Sequence, residues 1–334
     1  MSTKSEHSTY LILFAYFVIY VVWGSTYFFI HKALEGFSPF VLGSLRFIAA
    51  SIILMMYCKM KGYKLWNKRI IKQTAFIGFL LLFVDMAAII WVEQFIASGI
   101  VAIMAAAAAI WFIIFDKPKW KQNFSSLPTV VGLILGFIGV ILLFAEQIMV
   151  TSDTSSKSLK IIGMIVLIIG SIAWTLGSLY SKYVVEKEEN QGEDLHIMVK
   201  TAWQMITAGL AFNFVALFNG EYSSFDITAV TIENWGALIY LITFGSILAF
   251  SCYLWLIQIR PATEVSTYAY VNPIVAVALS YFFTDDVITE LQITGLFVVL
   301  FSVLLMNWNL YRDSKYIRKL FKPKHSKKRL SNIH

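Results

Sequence analysis

The chain has 334 residues, 58% of them hydrophobic and 14% charged, where soluble domains carry about 25% charged residues. This composition excludes an ordinary soluble enzyme or binding domain and leaves a polytopic membrane protein with little mass outside the bilayer. The formal net charge of +7 is no signal for nucleic acid, because the basic residues gather in alternate gaps between apolar stretches and in the tail.

Ten apolar stretches follow one another, at about 10–31, 38–58, 73–94, 97–115, 128–147, 160–182, 198–219, 233–257, 263–283 and 290–310. Most are about 20 residues long, enough for a helix to cross a hydrocarbon core of roughly 30 Å. Backbone in hydrocarbon must satisfy its own hydrogen bonds, so these are helices. The expected fold is all-α integral membrane.

The first stretch is long and lacks a small-residue cleavage site, so it reads as a retained helix. It carries Trp23-Gly24-Ser25-Thr26, an aromatic plate beside small polar groups. Such a run suits either an amphipathic ligand or close helix packing with Trp23 as an interfacial anchor. The second stretch holds Arg46, whose guanidinium suits a substrate carboxylate or a structural contact with carbonyls or Asp85.

Asp85 lies about twelve residues into the third stretch, near the midplane at roughly 1.5 Å per residue. A carboxyl shielded from water exchanges protons near neutral pH. A proton-coupled carrier requires that property; a structural hydrogen bond to a neighbouring helix is the alternative. No acid occurs in the first or sixth stretch.

In the fourth stretch the run Ala105–Ala109 favours close helix approach. The sixth carries Trp174-Thr175, placed much like Trp23-Gly24 in the first. The ninth carries Tyr268, Tyr270 and Asn272-Pro273. Proline there is expected to break the helix and free carbonyls beside an amide, as at transporter substrate sites. Only one of the two tyrosines faces a cavity, being two residues apart on a helix.

The topology follows from charge. Lys59, Lys61, Lys64, Lys68, Arg69 and Lys72 fill one gap, Lys117, Lys119 and Lys121 another, and the tail 311–334 is strongly basic. Only Lys32, Lys157 and Lys160 fall on the opposite side. The positive-inside rule then puts both termini in the cytoplasm and the chain in a cell inner (cytoplasmic) membrane. Cys58 and Cys252 lie in separate stretches and make no disulfide framework.

Five helices per half is odd, so two halves of like fold enter the membrane from opposite sides, as in secondary transporters. Pairing Trp91 with Trp255 also aligns Gln94 with Gln258, Val101 with Val265 and Ala105 with Ala269, a faint internal repeat. The two repeats are 10–147 and 160–310.

Two runs carry a family resemblance. Phe244-Gly245-Ser246-Ile247-Leu248-Ala249-Phe250 and Pro261-Ala262-Thr263-Glu264-Val265-Ser266-Thr267-Tyr268-Ala269-Tyr270-Val271-Asn272-Pro273 resemble the EamA family of the drug/metabolite transporter superfamily. Trp23-Gly24-Ser25-Thr26, Arg46 and Trp91-Val92-Glu93-Gln94 agree in the first half. The resemblance implies ten helices in two inverted five-helix repeats and export of small metabolites, amino acids or drugs. It also implies a central cavity between helices 1, 3, 4 and 6, 8, 9, with helices 5 and 10 distal or facing a second copy in a homodimer. The chain departs from the pattern at Ala109, where the first repeat usually has the proline matching Pro273, and at Asp285-Asp286, where a Gly-Glu pair is usual.

The expected function is export of a small metabolite, amino acid or drug-like amphipathic compound by alternating access, coupled to protons at Asp85. Trp23, Ser25, Arg46, Trp174, Tyr268, Tyr270, Asn272 and Pro273 are the expected substrate-binding residues. Uptake or facilitated diffusion of a sugar is the alternative, and a non-transporting receptor or assembly subunit the second. No P-loop, HExxH, zinc-ligand spacing or Gly-x-Ser-x-Gly occurs, so neither an enzyme, a metal site nor a cofactor is expected. The expected partners are the bilayer, the solute and protons.

Overall fold

A computed structural model describes residues 9–150, 154–188, 195–260, 262–284, 289–306 and 308. The tail 311–334, Asp285-Asp286 and the side chain of Tyr270 lie outside the described residues. The long helices, in chain order, are α1 (Thr9–Leu34), α2 (Pro39–Met60), α3 (Lys68–Val92), α4 (Ser98–Phe115), α5 (Leu127–Val150), α6 (Thr154–Glu188), α7 (Ile197–Phe218), α8 (Ile232–Ile259), α9 (Tyr268–Phe283) and α10 (Glu290–Met306). No strand occurs among the described residues.

The helix starts follow local chemistry. Pro39 opens α2 at a position where its missing N–H is no loss. The Asn67 side chain accepts from the Arg69 and Ile70 amides to begin α3. Thr231 and Asn234 form a reciprocal cap on α8, and the Asn234 amide also donates to the Lys32 carbonyl at the end of α1, 2.8 Å away.

Seven helices are long and apolar enough to cross a membrane among the described residues. An eighth is reached if Lys117–Phe124 and Leu127–Leu143, which meet at 105°, count as one bent span. Val271–Phe283 and Glu290–Met306 are apolar but shorter. At 1.5 Å per residue the first falls about 10 Å and the second about 5 Å short of a core of roughly 30 Å. The chain is thus an all-helical, multi-pass membrane protein, with fewer full-length spans by this measure than the ten apolar stretches.

α2 packs along α7, α4 along α9 and α5 along α10, while α1 lies against α8 and α9 and α3 against α6. Glycines let the backbones approach: a Cβ on Gly209 of α7 would lie 2.9 Å from the Ile48 backbone nitrogen of α2. One on Gly24 of α1 would lie 3.0 Å from the Asn272 Cα of α9. Without a hydrophobic drive between helices in lipid, such close contact supplies the dispersion that holds them.

Three of the long helices contain a π-helical segment. α1 opens into a π-helical segment at Val18–Val22, α3 at Phe79–Val84 and α8 at Leu241–Ala249. Each ends directly before Trp23, Asp85 and Phe250 respectively. A wider turn frees backbone groups and rotates the side chains that follow it, and such segments concentrate at functional positions.

The expectation that Asn272-Pro273 breaks its helix is not met. α9 runs from Tyr268 through Phe283 with Pro273 inside it, and the interruption lies earlier, at Ser266–Thr267, after the short helix Ala262–Val265. Pro273 lacks the N–H that would reach the Ala269 carbonyl; the helix tolerates that single lost bond. In the first half, α4 is interrupted at Ala107 with no proline nearby. There the Thr175 hydroxyl of α6 donates to the Ala108 carbonyl at 3.3 Å.

Candidate functional site

A cavity of about 580 Å³, including the part that opens outward, lies between the two halves. α1 lines it with Trp23, Thr26, Tyr27 and Ile30, and α3 with Asp85, Met86 and Ile89. α6 contributes Trp174, and α9 contributes Tyr268, Ala269, Asn272 and Pro273. The α4 wall is made of alanines, Ala102, Ala105, Ala106 and Ala108. The alanine run therefore does more than let helices touch: its short side chains leave the space.

The aromatic groups form one cluster. The Trp23 ring lies 5.4 Å from Trp174 in an edge-to-face arrangement, 5.4 Å from Tyr268 and 5.2 Å from Tyr253. Tyr253, fully buried on α8, shares a 2.7 Å hydrogen bond with the Ser178 hydroxyl. Phe250 closes the back of the cluster, 6.5 Å from both indoles. The Trp174 N–H is buried without a hydrogen bond of regular geometry, beside the Tyr253 and Tyr268 hydroxyls.

Asp85 is 6% exposed and, among the described residues, is the one charged side chain in the cavity wall. Gly170 of α6 permits its close packing, since a Cβ there would sit 3.3 Å from the Asp85 Cα. Among the described residues its carboxyl makes no hydrogen bond or ion pair. The hydroxyls of Tyr27, Tyr253 and Tyr268 lie within its electrostatic reach. A buried carboxyl without a partner is costly in its charged form.

Two expected residues stand elsewhere. Ser25 is two positions beyond Trp23, which turns it to the other side of α1. Its hydroxyl contacts the Tyr240 hydroxyl and the Val22 carbonyl, both at 2.7 Å. Arg46 is buried between α2 and α8, where its Nε donates to the Ser246 hydroxyl at 2.8 Å and its guanidinium lies 5.0 Å from the Phe47 ring. Neither lines the cavity. Trp23, Trp174, Tyr268, Asn272, Pro273 and Asp85 do. Sequence reasoning missed Tyr27, Phe250 and Tyr253.

Asn272 ties α9 to the widened turn of α1. With its amide nitrogen facing the carbonyls, the orientation its surroundings require, it donates to Ile19 at 2.9 Å and Tyr20 at 2.8 Å. Further along the same contact, the Tyr20 and Thr267 hydroxyls share a 2.6 Å bond and Tyr16 donates to Glu264 at 2.8 Å. Arg260 faces Glu264 at 3.9 Å. Near the end of α6, Tyr183 donates to Asp116 at the end of α4. These bonds close the bundle at the end where α1 begins.

The comparisons with known proteins agree with this architecture. The model of the EamA-like transporter family matches twice, over residues 10–145 and 161–308. The chain is 31% identical over 308 residues to the uncharacterised inner membrane transporter YedA of Escherichia coli, covering 89% of this chain and 90% of that one. It is 22% identical to a chloroplastic WAT1-related protein of Arabidopsis thaliana, across 86% of this chain and 67% of the other. Protein PecM of Dickeya dadantii is 22% identical, across 90% and 93%. One solved crystal structure superposes with a TM-score of 0.62 at 12% identity, covering 92% of this chain and all of the other, and supports the fold alone. The chain belongs to the EamA-like transporter family and is a membrane transporter, not an enzyme.

Proposed function

We propose that this EamA family member is a secondary carrier of a cell inner membrane. It exports a small amphipathic compound by alternating access, with Asp85 carrying the coupled proton. The observation that carries the reading is the Asp85 carboxyl in the wall of a cavity between the two halves, without a hydrogen-bond or ion-pair partner among the described residues. A carrier must bind its solute where both halves meet, and a coupling group must face that same space.

Ten spans in two inverted five-helix repeats accompany this reading. Its support is the packing: α2, α4 and α5 each lie on the helix five places later, and the α1–α8 contact has its counterpart in α6–α3. Two units related by a twofold axis in the membrane plane require such pairing. Both termini are cytoplasmic by the positive-inside rule. The Tyr16–Glu264 and Tyr20–Thr267 bonds then lie on the cytoplasmic side of the cavity, and the conformation is one closed to the cytoplasm.

The test is counterflow and pH-driven flux in proteoliposomes with a metabolite panel, native protein against Asp85→Asn. Loss of acceleration by a pH gradient in the variant is expected; unchanged acceleration would remove Asp85 as the coupling group. Flux measured in everted vesicles separates export from uptake. Absence of flux for every solute would favour a receptor or assembly subunit.

A further inference from the structure

The cavity also has a chemical preference, and this step rests on the carrier reading above. We propose that it takes a singly charged organic cation, an ammonium-bearing amphipath that shares Asp85 with the proton.

Three features of the wall lead there. First, its charge is one-sided. Among the described residues Asp85 is the one charged lining residue, and the buried Arg46 and Lys200 are placed elsewhere. Arg46 lies between α2 and α8 with its Nε on Ser246, and Lys200 lines a separate, smaller pocket with Gln73, Ser181 and Gln258. An anionic solute would meet an uncompensated carboxylate in a low-dielectric space. A cation would supply the counter-charge that the described residues do not.

Second, Trp23, Tyr27, Trp174 and Tyr268 surround the space next to that carboxyl. Aromatic faces carry negative potential and attract ammonium groups, most strongly when desolvated. Third, the rest of the wall is apolar and short of hydrogen-bonding groups. Thr26 and Asn272 are its neutral polar side chains apart from the aromatic ones, and the Asn272 amide nitrogen is occupied by the Ile19 and Tyr20 carbonyls. A sugar, whose hydroxyls each need a partner, would have only Thr26 and the O–H and N–H groups of the aromatic residues. An ammonium head with an apolar body is well served, the body lying against Ile30, Ile89 and the alanines of α4.

A mechanism follows by charge balance. Either a proton or the ammonium neutralises Asp85, so the two bind in competition. The titratable groups facing Asp85 are Tyr27 from α1, Tyr253 from α8 and Tyr268 from α9. α6 presents Gly170 and Trp174, and α4 its alanines. One cation leaves for each proton that enters, so the exchange moves no net charge and is insensitive to membrane potential.

Three probes with one 2-phenylethyl body test this: 2-phenylethylammonium, 2-phenylethanol and 3-phenylpropanoate, titrated against the full-length protein in detergent by calorimetry. The cation should bind on the order of tenfold more tightly than the alcohol, with the anion weakest. Acidification should weaken the cation alone, and Asp85→Asn should abolish its advantage. Trp23→Leu should weaken the cation while leaving the proton competition in place. Thermal unfolding of each variant checks that it folds. Equal binding of the alcohol, tighter binding of the anion, no binding of the cation, or a cation preference that survives Asp85→Asn would overturn the proposal. The two readings fail separately. Flux of a neutral solute without cation binding sinks the substrate class and leaves the carrier. Cation binding without any flux sinks the carrier and leaves the site.

Discussion

The side-chain amide of Asn272 on α9 bonds to the backbone carbonyl of Tyr20 on α1, 2.8 Å away, inside the π-helical turn that directly precedes Trp23. One amide thus stabilises the widened turn of α1 and fixes the distance between two cavity walls. Asn272→Asp should be more damaging than its size suggests, because a carboxylate cannot donate to a carbonyl. A buried polar group left unsatisfied costs about 1–3 kcal/mol. The expected result is a lower midpoint of thermal unfolding in detergent, with flux reduced further than by Asn272→Ser, which keeps one donor. An unchanged midpoint for Asn272→Asp would show that the amide faces the other way.

The bonds at the end where α1 begins should set the balance between the two open states. Tyr16→Phe with Tyr20→Phe removes the hydroxyls that reach Glu264 and Thr267 while keeping the rings. Each lost bond is worth about 1 kcal/mol, so the pair shifts the equilibrium on the order of tenfold or more. A reporter cysteine at Ala269, a cavity residue, would read the shift after Cys58 and Cys252 are replaced by alanine. Membrane-impermeant maleimide should label it faster in inside-out vesicles of the double variant than of the parent. Equal rates would mean that these bonds do not hold the cytoplasmic side closed.

How much of this was legible in the sequence depended on whether a property is one-dimensional. Apolar length and basic alternation are, and they gave the helical class and the order of the elements. Rare residues in an apolar run are also conspicuous, so Asp85, Trp23, Trp174 and Asn272 stood out and the structure brings them to one cavity. Facing is not one-dimensional in a membrane helix, whose lipid and protein sides are both apolar. Ser25 and Arg46 therefore read equally as binding or structural residues from their type alone, and in the structure they bond to Tyr240 and Ser246 outside the cavity lining. Nothing in the sequence marks Tyr253 or Phe250 as part of the aromatic cluster among 27 Phe and 16 Tyr. The π-helical turns left no local signature, since the amide that satisfies one of them comes from α9.

Arg46 is better explained as a structural tie than as a ligand. Its Nε bond to Ser246 joins α2 to the π-helical part of α8, and a Cβ on Gly245 would lie 3.2 Å from its terminal nitrogen. Arg46→Lys keeps the charge but loses the planar fork. It should lower the unfolding midpoint while leaving the apparent affinity for transported solute within about twofold. Removal of a contact common to all bound states does not change the difference between them. A large rise in KM with an unchanged midpoint would return Arg46 to the binding site.

The alanine wall of α4 gives the most direct test that the cavity is space rather than loose packing. Ala105 is half-buried and borders the cavity, so the added carbons of Ala105→Leu extend into empty volume. Where an interior is already full, added carbons cost about 1–3 kcal/mol through strain. Gly209→Ala supplies that contrast, because its Cβ would lie 2.7 Å from Ile48 Cγ1 and 2.9 Å from the Ile48 nitrogen. Ala105→Leu should therefore keep the native unfolding midpoint and lose most of its flux, while Gly209→Ala should lose stability first. The same substitution narrows the space beside Asp85, so the loss should be steeper for bulky solutes than for small ones, a graded effect that a folding defect does not produce. If Ala105→Leu lowers the midpoint as much as Gly209→Ala does, the wall is packed, and the binding site must be sought elsewhere between the halves.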